Sequence, residues 1–101
     1  MWLIALFDLP VDTASRRRAY ARFRKALLKD GFSMLQYSVY ARYCPSEEAS
    51  ETHRTLVRRA LPAEGEVRIM ALTDHQFAKM QVFLGKKRAP TEQKPVQLEF
   101  F

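Results

Sequence analysis

Few residues in this chain can do chemistry, and Asp8 is the sharpest of them. It closes the apolar run Trp2-Leu3-Ile4-Ala5-Leu6-Phe7, and Leu9-Pro10 follows. Proline cannot donate to a strand ladder, so the chain must leave the sheet there. A carboxylate at the end of a buried strand is costly unless something compensates it. A divalent cation is one compensation, because Mg2+ accepts one or two carboxylates completed by water and phosphate. A twofold dimer could supply the second carboxylate as another copy of Asp8. The other reading is a turn acid that caps the amides after it. Taken alone, the residues lean towards the turn acid and leave both open.

A second feature is cationic. Arg18, Arg22, Lys25 and Lys29 recur at steps of four, three and four, and Arg17 and Arg24 widen the stripe. No acid interrupts residues 16–29, whereas an ordinary solvated face mixes signs. A row of Arg and Lys suits contact with a phosphate backbone, tolerant of sequence. Arg16 and Arg17 stand in the first helical turn, within reach of Asp8, where they could orient a phosphate. Ser38 could bond a phosphate or a metal's water, although a strand hydroxyl paired to backbone is the usual case. Tyr37 and Tyr40 could stack or fill the core, and core is the favoured reading for each. His53, on an apolar face, reads as a satisfied structural histidine, and His75 as a surface residue in a cap.

Other chemistries lack their residues. Three isolated glycines make no phosphate loop, and Cys44, His53 and His75 are too few and scattered for zinc. No Ser/His/Asp order suggests acyl transfer. One cysteine excludes an intrachain disulfide framework. The net charge of +6 points to a polyanionic partner. The longest apolar run is too short to span a bilayer, so a cytoplasmic protein without a membrane role is expected.

The elements that must position these groups follow from pattern. Met1–Phe7 reads as a central strand. Ala14–Asp30 reads as a long helix capped by Thr13 or Asp12, buried through Tyr20, Phe23 and Leu27, and ended by Gly31. Phe32–Tyr43 is strand-like with a break at Gln36-Tyr37-Ser38. Ser46–Leu61 is a second helix with Ser46 as N-cap. Glu66–Leu72 alternates as a strand, Thr73-Asp74-His75-Gln76 is a capping box, and Met80–Leu84 is a short strand. Gly85–Pro95 reads as a basic connector that cannot bury itself, and Val96–Phe101 as a last strand that needs a partner edge. The expectation is an α+β ferredoxin-like βαββαβ domain over residues 1–84, with an extra C-terminal strand in 85–101. One sheet face stays uncovered in a monomer, which invites dimerisation.

These residues resemble the CRISPR-associated protein Cas-two family, the small core subunit of spacer acquisition. The resemblance is carried by Phe7-Asp8-Leu9-Pro10, Arg17-Arg18-Ala19-Tyr20, Phe23-Arg24-Lys25, Asp30-Gly31-Phe32, Leu35-Gln36-Tyr37-Ser38-Val39-Tyr40 and Thr73-Asp74-His75-Gln76-Phe77. Each motif is short, but their order spans essentially the whole chain. The resemblance implies a homodimer with sheets packed face to face and the C-terminal strand crossing to the partner's sheet. It implies that Asp8 of each protomer faces a shared cleft and binds Mg2+ or Mn2+, and that water activated by the metal hydrolyses a phosphodiester of RNA or duplex DNA. Phe7 and Tyr40 would shape that cleft, and Arg16, Arg17 or Ser38 would position phosphate. The alternative it carries is a non-catalytic scaffold that binds duplex DNA between dimers of the larger CRISPR integrase (Cas-one), where Arg18, Arg22 and Lys25 matter more than Asp8. Some members have a basic residue just before the Leu-Gln pair; Met34 stands there, so that helper is missing. A ferredoxin-like module that reads single-stranded RNA on sheet aromatics lacks its sheet motif here.

Overall fold

The computed structural model describes residues 1–95. The elements run β1 Trp2–Asp8, α1 Ala14–Lys29, β2 Ser33–Gln36, β3 Val39–Tyr43, α2 Glu47–Arg59, β4 Glu66–Leu72, α3 Asp74–Ala78, β5 Val82–Leu84 and β6 Lys87–Ala89. Four strands form one sheet in the order β2-β3-β1-β4. Each neighbouring pair is antiparallel. The topology is α+β and compatible with the ferredoxin-like plan.

β1 is central because it is apolar on both faces. Leu3, Ala5 and Phe7 share one core with Phe23 and Leu27 of α1 and Val57 of α2. Phe23 and Leu27 lie four residues apart on α1 and are each 1% exposed. Burying a side chain of this size stabilises by about 1.5–3 kcal/mol. Trp2 and Ile4 face the other way, with Ala41 and Phe77.

Local chemistry sets the ends of the helices. Thr13 is the N-cap of α1, its hydroxyl accepting from the Arg16 amide at 3.1 Å. Ser46 caps α2 in the same manner, accepting from Ala49. Asp30 closes α1, and Gly31 follows at φ +88°, a left-handed position that suits glycine. There the Asp30 carboxylate meets His53 Nδ1 at 2.8 Å, which ties α2 to the end of α1 and satisfies the histidine. Thr73 and Gln76 form the reciprocal capping box of α3.

Two expectations need correction. The sheet face turned away from α1 and α2 is not bare. At one end Phe77 of α3 lies against Trp2 with centroids 4.0 Å apart and planes within 9°. On the same face Met70, opposite Ile4, remains exposed. The stretch after residue 84 is not a plain connector. β5 pairs with β6 in a hairpin turned at Gly85, so a boundary at 84/85 would cut a paired unit. Val82, not Met80, begins its first strand. The expected strand Val96–Phe101 lies outside the described residues. Among the described residues no helix is long and apolar enough to cross a membrane.

Candidate functional site

Asp8 is the last residue of β1, and its position follows from register. Side chains alternate across a strand, so Asp8 shares a face with Leu6, Ile4 and Trp2, away from α1 and α2. The sheet order sets β3 on one side of β1 and β4 on the other. On the β4 side Asp8 pairs with Glu66, and Leu6 with Arg68. On the β3 side the Phe7 amide donates to the Ser38 carbonyl at 3.0 Å, seating the Tyr37-Ser38 turn beside the end of β1. These three segments enclose an open groove of about 250 Å3, lined by Phe7, Asp8, Tyr37, Ser38, Glu66 and Arg68 together with Leu6 and Val39.

Asp8 itself is exposed, which corrects the expectation that burial forces a counterion on it. Among the described residues its carboxylate has no hydrogen-bond or ion-pair partner. The cap of the following helix is Thr13, not Asp8. Glu66 is the carboxylate that sequence reasoning missed. Two like charges directly opposite in an antiparallel pair are unfavourable. Arg68 relieves this, its Nε donating to Glu66 Oε1 at 2.7 Å. Both side chains are well exposed, so the pair adds at most about 1 kcal/mol. The only signal for Glu66 in the sequence would have been the β1–β4 register.

Ser38 is not a strand residue. It occupies the turn at φ +63°, uncommon for a residue with a side chain. Its hydroxyl shares a 2.9 Å hydrogen bond with that of Tyr20, not with backbone. Tyr37, expected in the core, is 73% exposed and stacks on Tyr20, with centroids 5.7 Å apart and planes within 15°. Burial pushes the Tyr20 phenol above its ordinary pKa. Phe7 borders the groove, while its ring packs against Tyr20, Phe23 and Tyr40. Tyr40 does not border it. Its ring is 1% exposed in the core, and its hydroxyl accepts from Arg24 Nε at 2.8 Å.

The cations divide into two groups. Arg16 and Arg17 do not reach the Asp8 groove. The Arg16 guanidinium is clasped by Asp12 at 2.9 Å and Glu64 at 2.8 Å, and these two acids raise its pKa. Arg17 donates to the Val11 carbonyl at 3.1 Å. Arg18, Arg22, Lys25 and Lys29, by contrast, are all exposed, and among the described residues none forms an ion pair. The stripe is therefore a field of uncompensated positive charge along α1.

Among the described residues no group of three or more His, Cys, Asp or Glu side chains could enclose a metal. The donor set at the groove is the free carboxylate of Asp8 with Glu66 opposite. It fits a hard cation that keeps most of its water, such as Mg2+ or Mn2+, and does not fit a closed protein cage.

Comparison with known proteins shows the family to which the chain belongs. A family model described as CRISPR associated protein Cas2 matches residues 1–80. A protein of Parvibaculum lavamentivorans named CRISPR-associated endoribonuclease Cas2 is 56% identical over the full length of both chains. Proteins of the same name from Flavobacterium psychrophilum and Paracidovorax avenae are 45% and 44% identical. Those matches take in all of this chain and 88% and 94% of the relatives.

Proposed function

The chain belongs to the CRISPR-associated protein Cas2 family, and we propose that it acts in spacer acquisition as a homodimeric, Mg2+- or Mn2+-dependent phosphodiester endonuclease. The observation that carries this reading is the state of Asp8: exposed, unpaired among the described residues, and held at the end of the central strand. A carboxylate fixed in that way keeps its lone pairs for a cation. The relatives bear the name endoribonuclease, which supports RNA as a substrate; duplex DNA remains within the proposal.

Asp8 of each protomer would hold the metal, with Glu66 close enough in register to bond its waters. A bound divalent cation supplies Lewis-acid polarisation of the phosphodiester and lowers the pKa of water. The chain's own part is positional. Phe7, wedged among Tyr20, Phe23 and Tyr40, keeps the end of β1 from moving. The stripe on α1 neutralises the backbone of the bound strand and fixes its track. The dimer would form through the sheet face that carries Leu6, Met70 and Asp8, bringing two sites together on a twofold axis. Among the described residues β4 is an edge of the sheet, where a further strand could add.

The uncompensated stripe also favours a second reading, in which the dimer is a non-catalytic scaffold that binds duplex DNA between dimers of the larger CRISPR integrase. Asp8→Asn separates the two. With Mg2+ or Mn2+ and end-labelled RNA or duplex DNA, the nuclease reading expects cleavage to fall about 100-fold or more, as loss of several kcal/mol of charge stabilisation requires. Cleavage at the unaltered rate overturns the nuclease reading and leaves the scaffold.

A further inference from the structure

We propose that the groove beside Asp8 recognises a single nucleotide: Tyr37 stacks an unpaired base, and Arg68 takes the phosphate next to it. This rests on the nucleic-acid reading above and adds how the strand is seated.

The argument begins with an aromatic ring where the core does not need one. Tyr37 is 73% exposed, among the largest exposures of any apolar side chain described. A lone exposed ring is unremarked on most surfaces, but this one is already held. One of its faces lies on Tyr20, whose hydroxyl is bonded to Ser38 Oγ at 2.9 Å. The turn that carries it is fixed by the Phe7 amide on the Ser38 carbonyl. A base stacking on the free face therefore has no ring to immobilise, and little binding energy is lost to ordering.

The opposite wall supplies the anion partner. Arg68 borders the same groove and is tethered through Nε to Glu66. The two terminal nitrogens of its guanidinium have no hydrogen-bond partner among the described residues. They form the planar edge that suits two phosphate oxygens. Arg16 and Arg17 are occupied by Asp12, Glu64 and the Val11 carbonyl, so Arg68 is the cation on this groove. Glu66 has a second effect: by engaging Arg68 it leaves the Asp8 carboxylate clear. Aromatic wall, carboxylate and cationic wall come from three adjacent chain segments fixed by one sheet order. The bases of an intact duplex are already stacked on one another, so only an unpaired or extruded base can use Tyr37. Both residues are positioning residues, not catalytic ones.

The test is binding measured by fluorescence anisotropy in EDTA, where nothing is cleaved. The probes are a short labelled RNA strand, the same strand with abasic sites, and a duplex DNA. Tyr37→Ala is expected to weaken the intact strand roughly tenfold, with the duplex unchanged. Tyr37→Phe should bind as the unaltered chain does. The abasic strand should bind the unaltered chain and Tyr37→Ala alike. Arg68→Ala should lower the salt dependence of strand binding by about 0.7 in log–log slope, one phosphate contact on a single strand. Equal loss on strand and duplex, or no loss on either, overturns the proposal. So does a Tyr37→Ala chain that sediments as a smaller species, since Tyr37 would then be covered by a second copy. If the unaltered chain binds no nucleic acid, the function proposed above fails and this fails with it. If it binds both and Tyr37→Ala does not discriminate, this inference alone fails.

Discussion

Gly65 offers a sharp test of how the end of β1 is held. It stands one residue before β4 at φ +95°, and a Cβ built there would lie 2.6 Å from Leu9 Cδ2, 2.8 Å from the Asp8 carbonyl oxygen and 3.0 Å from Leu9 Cα. Gly31 is its natural control. At φ +88° it asks nearly the same of the backbone, but the atoms nearest its Cβ would belong to the Arg42 side chain, the first at 3.2 Å. Putting alanine in a left-handed position costs about 1–2 kcal/mol, which Gly31→Ala should show. Gly65→Ala adds overlap with backbone that cannot rotate aside, about 1–3 kcal/mol by analogy with overpacked cores, for about 2–5 kcal/mol together. For a domain of this size each kcal/mol lowers Tm by about 4–8 °C. Urea unfolding followed by Trp2, which is buried against Phe77, reports the difference directly. The overlap falls on Asp8 and Leu9, so its relief must displace the end of β1. Strand cleavage should therefore drop further for Gly65→Ala than for Gly31→Ala at equal folded fraction. A Gly65→Ala chain no less stable than Gly31→Ala would refute the close approach between the β4 entrance and the Asp8 backbone.

Replacing Arg18, Arg22 and Lys25 by alanine should reduce the log–log salt slope of duplex binding by up to about 2.7, at about 0.9 per phosphate contact. An unchanged slope removes α1 as the binding face. Cys44 is fully buried, and burial pushes its thiol above the ordinary range, so the folded chain holds that proton more tightly than the unfolded one. Unfolding then releases a proton in alkali. The contribution is intact at neutral pH and is lost as pH rises from about 8.5, the unfolded thiol's value, towards the folded one. Urea midpoints should fall across that window more steeply than in Cys44→Ala, and equal slopes would refute it.

Much of the fold was legible because its signals are local. Thr13, Ser46 and the Thr73–Gln76 box are cap chemistry readable within four residues, and the Tyr20, Phe23 and Leu27 stripe is a helical period. The alternation of residues 66–72 is enough to read them as the strand they form. The site was legible only in part. Asp8 stood out because a carboxylate ends an apolar run, but its neighbours depend on distant pairing. Glu66 and Arg68 reach it through register, and Arg16 is neutralised by Glu64, 48 residues away. Tyr37 was misplaced because its composition fits a core strand, whereas Ser38 at positive φ makes a turn and turns the ring outward. The second strand of the hairpin, Lys87–Ala89, is not legible because Lys86, Lys87 and Arg88 resemble a solvated linker, and only pairing with β5 across the Gly85 turn makes Lys87–Ala89 a strand.

The central place of β1 also fixes an order of events during synthesis. The strand is made before both of its partners, residues 39–43 and 66–72. Until β4 leaves the ribosome, one edge of an almost wholly apolar segment has no neighbour, and chains grow by about 5–20 residues each second. β1 thus spends seconds as an exposed hydrophobic edge, the condition in which nascent chains recruit holding chaperones or pair with one another. Asp8 is synthesised before Glu66 and Arg68, and it meets them only when β4 joins the sheet. A nascent fragment that stops before β4 has Asp8 but lacks the wall of the groove that Glu66 and Arg68 supply.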